Sequence, residues 1–156
     1  MEIEETVTVP TARETVIEEM QRPEVLERVI PNCTGAEQTG DRSYRVEVSE
    51  SISRVSLDLE VDLEITEFDP PNSFVVSVDG EAPGSNTQVQ AEASYVLEET
   101  GDGTDIHQTM TIDVSGKLAS LGFRMLRSTV NKRMQTMVDN VQAEFAEPAT
   151  EGTVDT

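Results

Sequence analysis

Tryptophan is absent from this chain of 156 residues, and histidine and cysteine occur once each, at His107 and Cys33. A lone cysteine excludes an intramolecular disulfide and a cysteine-rich metal site. A lone histidine excludes a zinc site of the usual multi-histidine kind, so neither metal nor cofactor is expected. Aromatic residues make up only 4% of the chain. Lysine is scarce as well: of 11 basic residues only Lys117 and Lys132 are not Arg, against 31 acids. The formal net charge of −20 would repel a phosphate backbone, which excludes electrostatic binding of nucleic acid. It also disfavours adsorption on an anionic membrane. A surplus of solvated carboxylates with little Lys suits molar salt, where screening relieves self-repulsion. The expected source is therefore a halophilic archaeon with a salt-filled cytosol, the alternative being an acidic domain with a basic partner. No apolar run approaches the ~18 residues that span a bilayer. The start, Met1-Glu2-Ile3-Glu4-Glu5, lacks the charged-then-apolar pattern of a signal peptide. A soluble, cytoplasmic protein with at most peripheral membrane contact is expected.

What is present is mostly β-patterned. Ile3, Val7 and Val9 alternate with polar residues, a first strand that Pro10 stops. Thr11 followed by Glu14 reads as a capping box opening a short helix over residues 12–20, and Pro23 suits the first turn of a second short helix to about Arg28. Pro31, Gly35 and Gly40 punctuate a brief strand carrying Cys33. Tyr44, Val46, Val48 and Ile52 share one parity. From Val55 to Ile65 apolar and polar residues then alternate without a break, which no helix can accommodate. Strands with Phe74, Val76 and Val78, then with Val89 to Leu97, then with Ile106 to Val114 follow, separated by Gly- and Pro-rich turns. Short links imply an antiparallel meander with one buried face. After Gly116 the period changes: Leu126, Val130, Met134, Met137, Val141 and Phe145 form a helical stripe, predicting one helix of about 28 residues from Leu118. Leu118, Leu121 and Met125 add a second apolar row. Residues 1–146 are expected to form one domain and 147–156 a disordered acidic tail.

A long helix with a wide apolar face needs a sheet to bury it, and a twisted sheet of long strands curls around such a helix. The predicted class is α+β, a curved antiparallel sheet gripping a long C-terminal helix, with two short helices closing one end. Small inward residues, Ala91 and Ala93, and the lack of Trp leave room for a cavity walled by Val, Leu, Ile and adaptable Met, suited to an apolar ligand.

In this order of elements the chain resembles the START-like (SRPBCC) superfamily, the helix-grip or START/Bet v 1-like fold. Local strings are similar to the CoxG-like family, named for the G subunit of carbon monoxide dehydrogenase: Arg22-Pro23-Glu24-Val25-Leu26 with Ile30-Pro31-Asn32-Cys33, then Glu67-Phe68-Asp69-Pro70-Pro71, and Gly116-Lys117-Leu118-Ala119-Ser120-Leu121-Gly122. The likeness covers roughly residues 2–145. It departs at Asn32, where the family usually has Gly, and in the short acidic tail, where some members carry a membrane-associating extension. The resemblance implies binding of a hydrophobic small molecule between sheet and helix, and a link to molybdenum hydroxylases and to quinone or lipid handling.

The candidate chemistry is sparse. His107 has outward parity, unlike a buried catalytic base. Cys33 lacks a thiolate-stabilising neighbour and reads as a small hydrophobe. Asp58, Glu60, Asp62 and Glu64 read as a strand's solvated face, and Ser94 points outward. Gln108 shares the inward parity of Met110 and Ile112, so its amide either meets a ligand carbonyl or sits wet at the sheet's rim. The long helix and its approach, residues 117–145, carry Lys117, Arg124, Arg127, Lys132 and Arg133 against Asp139 and Glu144. These cations either pair with the acidic sheet edge or form a docking face for an acidic partner or headgroups. Reversal of Arg124 and Arg127 to Glu tests the docking version, which unchanged partner and vesicle binding would remove.

The resulting expectation is a non-enzymatic carrier of a lipid- or quinone-like molecule, supporting a molybdenum hydroxylase or carbon monoxide dehydrogenase-type redox enzyme. Its pocket is placed between the sheet and residues 118–137. The sheet side would offer Leu59, Val61, Phe74, Ala91, Ala93, Tyr95, Gln108 and Met110. The helix side would offer Leu118, Leu121, Gly122, Met125, Leu126 and Met134, with Ile30 and Pro31 at the lid. The alternatives are an enzyme of the polyketide cyclase or dehydratase type on the same fold, and an assembly factor with a filled core and no ligand.

Overall fold

The computed structural model describes residues 1–146; the expected tail over 147–156 lies outside the described residues. Alternating apolar residues produce seven strands: β1 (Glu2–Val9), β2 (Cys33–Gly40), β3 (Ser43–Ile52), β4 (Val55–Asp69), β5 (Ser73–Ala82), β6 (Thr87–Glu99) and β7 (Thr104–Ser115). They form one sheet of order β1-β7-β6-β5-β4-β3-β2, every neighbouring pair antiparallel. Only β1 breaks the sequential order, by pairing with β7. The helices α1 (Arg13–Met20) and α2 (Pro23–Val29) fill the link from β1 to β2. Pro23 stands in the first turn of α2, where its missing N–H costs nothing.

Two local expectations need correction. Thr11 does not cap α1: the cap position is Ala12, without a side-chain bond. Thr11 is instead buried, its hydroxyl donating to the Phe145 carbonyl (3.2 Å) and its own carbonyl accepting from Thr104 (2.7 Å). The C-terminal helix is also shorter than its apolar spacing predicts. Leu118–Leu121 form a 3₁₀ turn, and α3 runs from Phe123 to Glu144. Gly122 between them sits at φ 92°, which side chains resist, so the two pieces are not one rod.

The sheet's apolar face meets the helices in three clusters. At one end Ile52, Val55, Leu57 and Leu59 pack with Ala82, Leu118 and Leu126. At the other, Val7, Val9, Leu97 and Ile106 pack with Val16, Ile17, Val25 and Val29 of α1 and α2, and with Val141 and Phe145. Ile3, Ala93, Met110 and Met134 lie between. Polar bonds tie α2 to the end of α3: Arg28 bonds both Glu144 oxygens (2.8 and 2.7 Å), and Asn140 donates to the Val29 carbonyl (3.0 Å).

The outer face is acidic to an unusual degree. Glu60 lies opposite Glu47 on one side and Glu81 on the other, and Asp62 lies opposite Asp79. Arg45 relieves this row, bonding Asp62 at 2.9 Å and lying 3.8 Å from Glu60.

Candidate ligand-binding site

Between sheet and helices lies a cavity of about 250 Å³. Its floor is one end of the sheet: Val61, Leu63 and Ile65 in the second half of β4, Phe74, Val76 and Val78 in the first half of the antiparallel β5, with Ala93 and Tyr95 of β6 and Gln108 and Met110 of β7. One wall is the C-terminal half of α3 (Met134, Met137, Val138, Val141), and the other is α1 and α2 with Val16, Ile17, Met20, Leu26, Val29 and Ile30. The cavity therefore sits closer to the short helices than the span 118–137 implies.

Of the residues expected at a pocket, Ile30, Val61, Phe74, Ala93, Tyr95, Gln108, Met110 and Met134 are brought together on its walls. The others lie elsewhere, for identifiable reasons. Leu59, Leu118 and Leu126 are consumed by the packed cluster at the far end, with Leu121 leaning on it. Ala91 packs against the central cluster one pair nearer that end. Pro31 belongs to the turn before β2, outside the cavity lining. A Cβ on Gly122 would meet nothing within 4 Å, so this glycine serves the backbone break and not a close approach. Met125, 41% exposed, faces outward because α3 begins only after that break.

The polar groups on the walls are few. The Tyr44 hydroxyl donates to the Gln21 carbonyl (2.8 Å), and the Gln21 amide donates to the Ile17 carbonyl (3.0 Å). Gln108 is inward and buried, its Nε2 donating to Met134 Sδ at 3.3 Å. The Tyr95 ring stacks on Phe74, and burial pushes its phenol up to about 12. Glu5 also lines the cavity. Sequence reasoning missed it although the signal was present: position 5 has the inward parity of Ile3 and Val7. The residues of α1 and α2 were missed because helices of eight and seven residues carry too few turns for a clear apolar stripe.

Reactive groups lie away from this space. His107 is outward, with Nε2 on Glu98 and Nδ1 3.1 Å from the Thr6 hydroxyl. Burial raises the Cys33 thiol above its ordinary range, and Sγ donates to the Gly35 carbonyl (3.2 Å), so thiolate is disfavoured. Among the described residues no cluster of three His, Cys, Asp or Glu could hold a metal, and no helix is long and apolar enough to cross a membrane. The cations of the long helix divide. Arg133 forms an ion pair with Glu50 (2.8 Å), whereas Arg124, Arg127 and Lys132 line surface grooves beside Phe123, 64% exposed, and Met125. Asn32, the departure from the family pattern, has φ 60°. That left-handed conformation favours Gly and tolerates Asn, so the substitution keeps the turn.

Solved structures share this architecture. A conserved protein from Geobacillus kaustophilus is 26% identical, with 93% of this chain and 92% of that one covered and a TM-score of 0.77. The Zhui aromatase/cyclase from Streptomyces sp. R1128 aligns with a TM-score of 0.67 at 15% identity, over 94% of this chain and 93% of that one. A START superfamily protein from Mycobacterium smegmatis gives 0.67 at 12%, over 93% and 97%. The last two likenesses show the fold, the START-like helix grip. No curated protein matches the chain in sequence. The family model of CoxG, the G subunit of carbon monoxide dehydrogenase, matches residues 6–146. That is nearly everything the structure describes, and the chain belongs to the CoxG family.

Proposed function

We propose that this protein binds a hydrophobic small molecule, lipid- or quinone-like, in the cavity between sheet and α3, and carries or presents it without chemistry of its own. The supporting observation is the cavity itself: about 250 Å³ of space, enclosed by aliphatic, Met and aromatic side chains, is the environment that an apolar ligand leaves water to reach. Family membership supports a service role to a redox enzyme of the carbon monoxide dehydrogenase or molybdenum hydroxylase type. The cations Arg124, Arg127 and Lys132 offer a surface for an acidic patch on a partner or for peripheral membrane contact. An assembly factor with a filled core would not need the space.

The test is native mass spectrometry after mild purification, followed by organic extraction of what is bound. A mass increment that extraction removes and quinones or fatty acids restore is the expected result. Apo protein in every preparation, with no uptake of either, overturns the reading. The competing reading, a cyclase or dehydratase, draws support from the shared fold of the Zhui aromatase/cyclase and from polar groups inside the cavity. The outward position of the one imidazole favours the carrier, and turnover of an added polyketide analogue would reverse that preference.

A further inference from the structure

The two tyrosines of this chain both line the cavity, and they are held differently. Tyr44 is tied by its hydroxyl to the Gln21 carbonyl. Tyr95 makes no hydrogen bond among the described residues, although its ring is fixed on Phe74 with centroids 4.7 Å apart and planes 17° from parallel. Its hydroxyl is not among the wholly buried polar atoms that lack a partner, so it keeps accessible surface, and an acceptor carried by a bound ligand can reach it and take its hydrogen bond. With its ionisation pushed up to about 12, the group stays a donor at any working pH.

Two further polar groups stand beside it. Gln108 lies directly opposite Tyr95 on β7, and Glu5 directly opposite Gln108 on β1. Opposed residues on one face have Cβ atoms roughly 5 Å apart, so three adjacent strands set Glu5, Gln108 and Tyr95 in one transverse row. The Gln108 amide nitrogen is spent on Met134 Sδ, while its Oε1 has no partner among the described residues and keeps accessible surface, in a residue only 7% exposed. Glu5 likewise has no ion pair among the described residues. The row continues into aromatic surface, since Phe74 lies opposite Tyr95 and Phe68 opposite Phe74. The remaining walls are aliphatic or Met, save Gln21 and Tyr44, which bond the backbone.

Resting on the reading of this cavity as a hydrophobic-ligand site, we propose that the Glu5–Gln108–Tyr95 row is the subsite for the ligand's polar end, selecting a neutral oxygen-bearing ring over a carboxylate. Tyr95 donates to a ketone-like oxygen, and Phe74 and Phe68 lie against the flat part of the molecule. Gln108 Oε1 accepts from a hydroxyl where the ligand has one. The Glu5 carboxylate repels an anion, so a fatty-acid-like headgroup is the one this wall rejects.

Three probes on one ring system test this in fluorescence titrations of the full chain at pH 8: naphthalene, 2-acetonaphthone and 2-naphthoate. The ketone is expected to bind roughly tenfold more tightly than naphthalene, the gain of one good hydrogen bond, and the carboxylate more weakly than either. Tyr95→Phe should bring the ketone down to the affinity of naphthalene and leave naphthalene unchanged, which also shows that the variant is folded. Glu5→Gln should strengthen 2-naphthoate. Equal binding of the three probes, or a uniform loss with Tyr95→Phe, overturns the subsite while leaving the cavity reading intact. Uptake of none of them overturns both.

Discussion

Strand β4 presents one apolar face with two different fates. Val55, Leu57 and Leu59 are buried against Leu118 and Leu126, whereas Val61, Leu63 and Ile65, in the same alternation, are only half-buried and line the cavity. The residue types do not differ between the halves; what stands opposite them does. The 3₁₀ turn and first turn of α3 press onto the first half, while over the second half the cavity separates the strand from Met134 and Met137 of α3 and from the short helices. Periodicity thus decides which face a strand turns inward, and the opposing layer decides whether that face is filled.

Deletion on the two halves is the strongest way to break this comparison. Leu59→Ala is expected to cost about 3 kcal/mol, because a packed site pays both transfer and cavity terms. Leu63→Ala should cost about 1 kcal/mol, since its side chain already forgoes contacts on the cavity side. Urea unfolding of both variants measures this, and equal losses would mean that the two halves are packed alike. Filling the space sharpens it further: Val76→Phe should keep stability within about 1 kcal/mol yet abolish uptake of the naphthalene probes. Retained uptake would place binding elsewhere.

The smallest effect concerns the fastening of α2. Arg28 holds the Glu144 carboxyl below its ordinary range, so this pair stabilises the protein above the free carboxylate value, and the contribution is lost as pH falls through the lowered one. Arg28 is more than half exposed, so solvent screening keeps the contribution to several tenths of a kcal/mol, roughly. The stability gap between wild type and Arg28→Met should be open at pH 7 and close below about pH 4. A gap independent of pH would assign the effect to packing.

How much of this is legible in the residues follows from what pattern can encode. The run Val55–Ile65 can only be a strand, and the parity of Gln108 places its amide inside, because period two carries facing directly. Met125 is misplaced by pattern because a helical stripe is continuous in spacing even where Gly122 interrupts the backbone. Leu118 and Leu126 read as pocket residues because apolar periodicity is the same for a plug and for a cavity wall. Glu5 escapes notice because a charged residue reads as surface, although its parity points inward.

The carboxylate row on the outer face has its own consequence. Opposed acids such as Glu47, Glu60 and Glu81 push apart the strands that the ladder hydrogen bonds pull together, and mobile ions weaken that push over a few ångströms at molar concentration. The palm is therefore a sprung element whose tension is set by the medium: slack in brine, taut in dilute buffer. A melting temperature that climbs with KCl would register the release, and a flat profile would show that Arg45 suffices to hold the strands at rest.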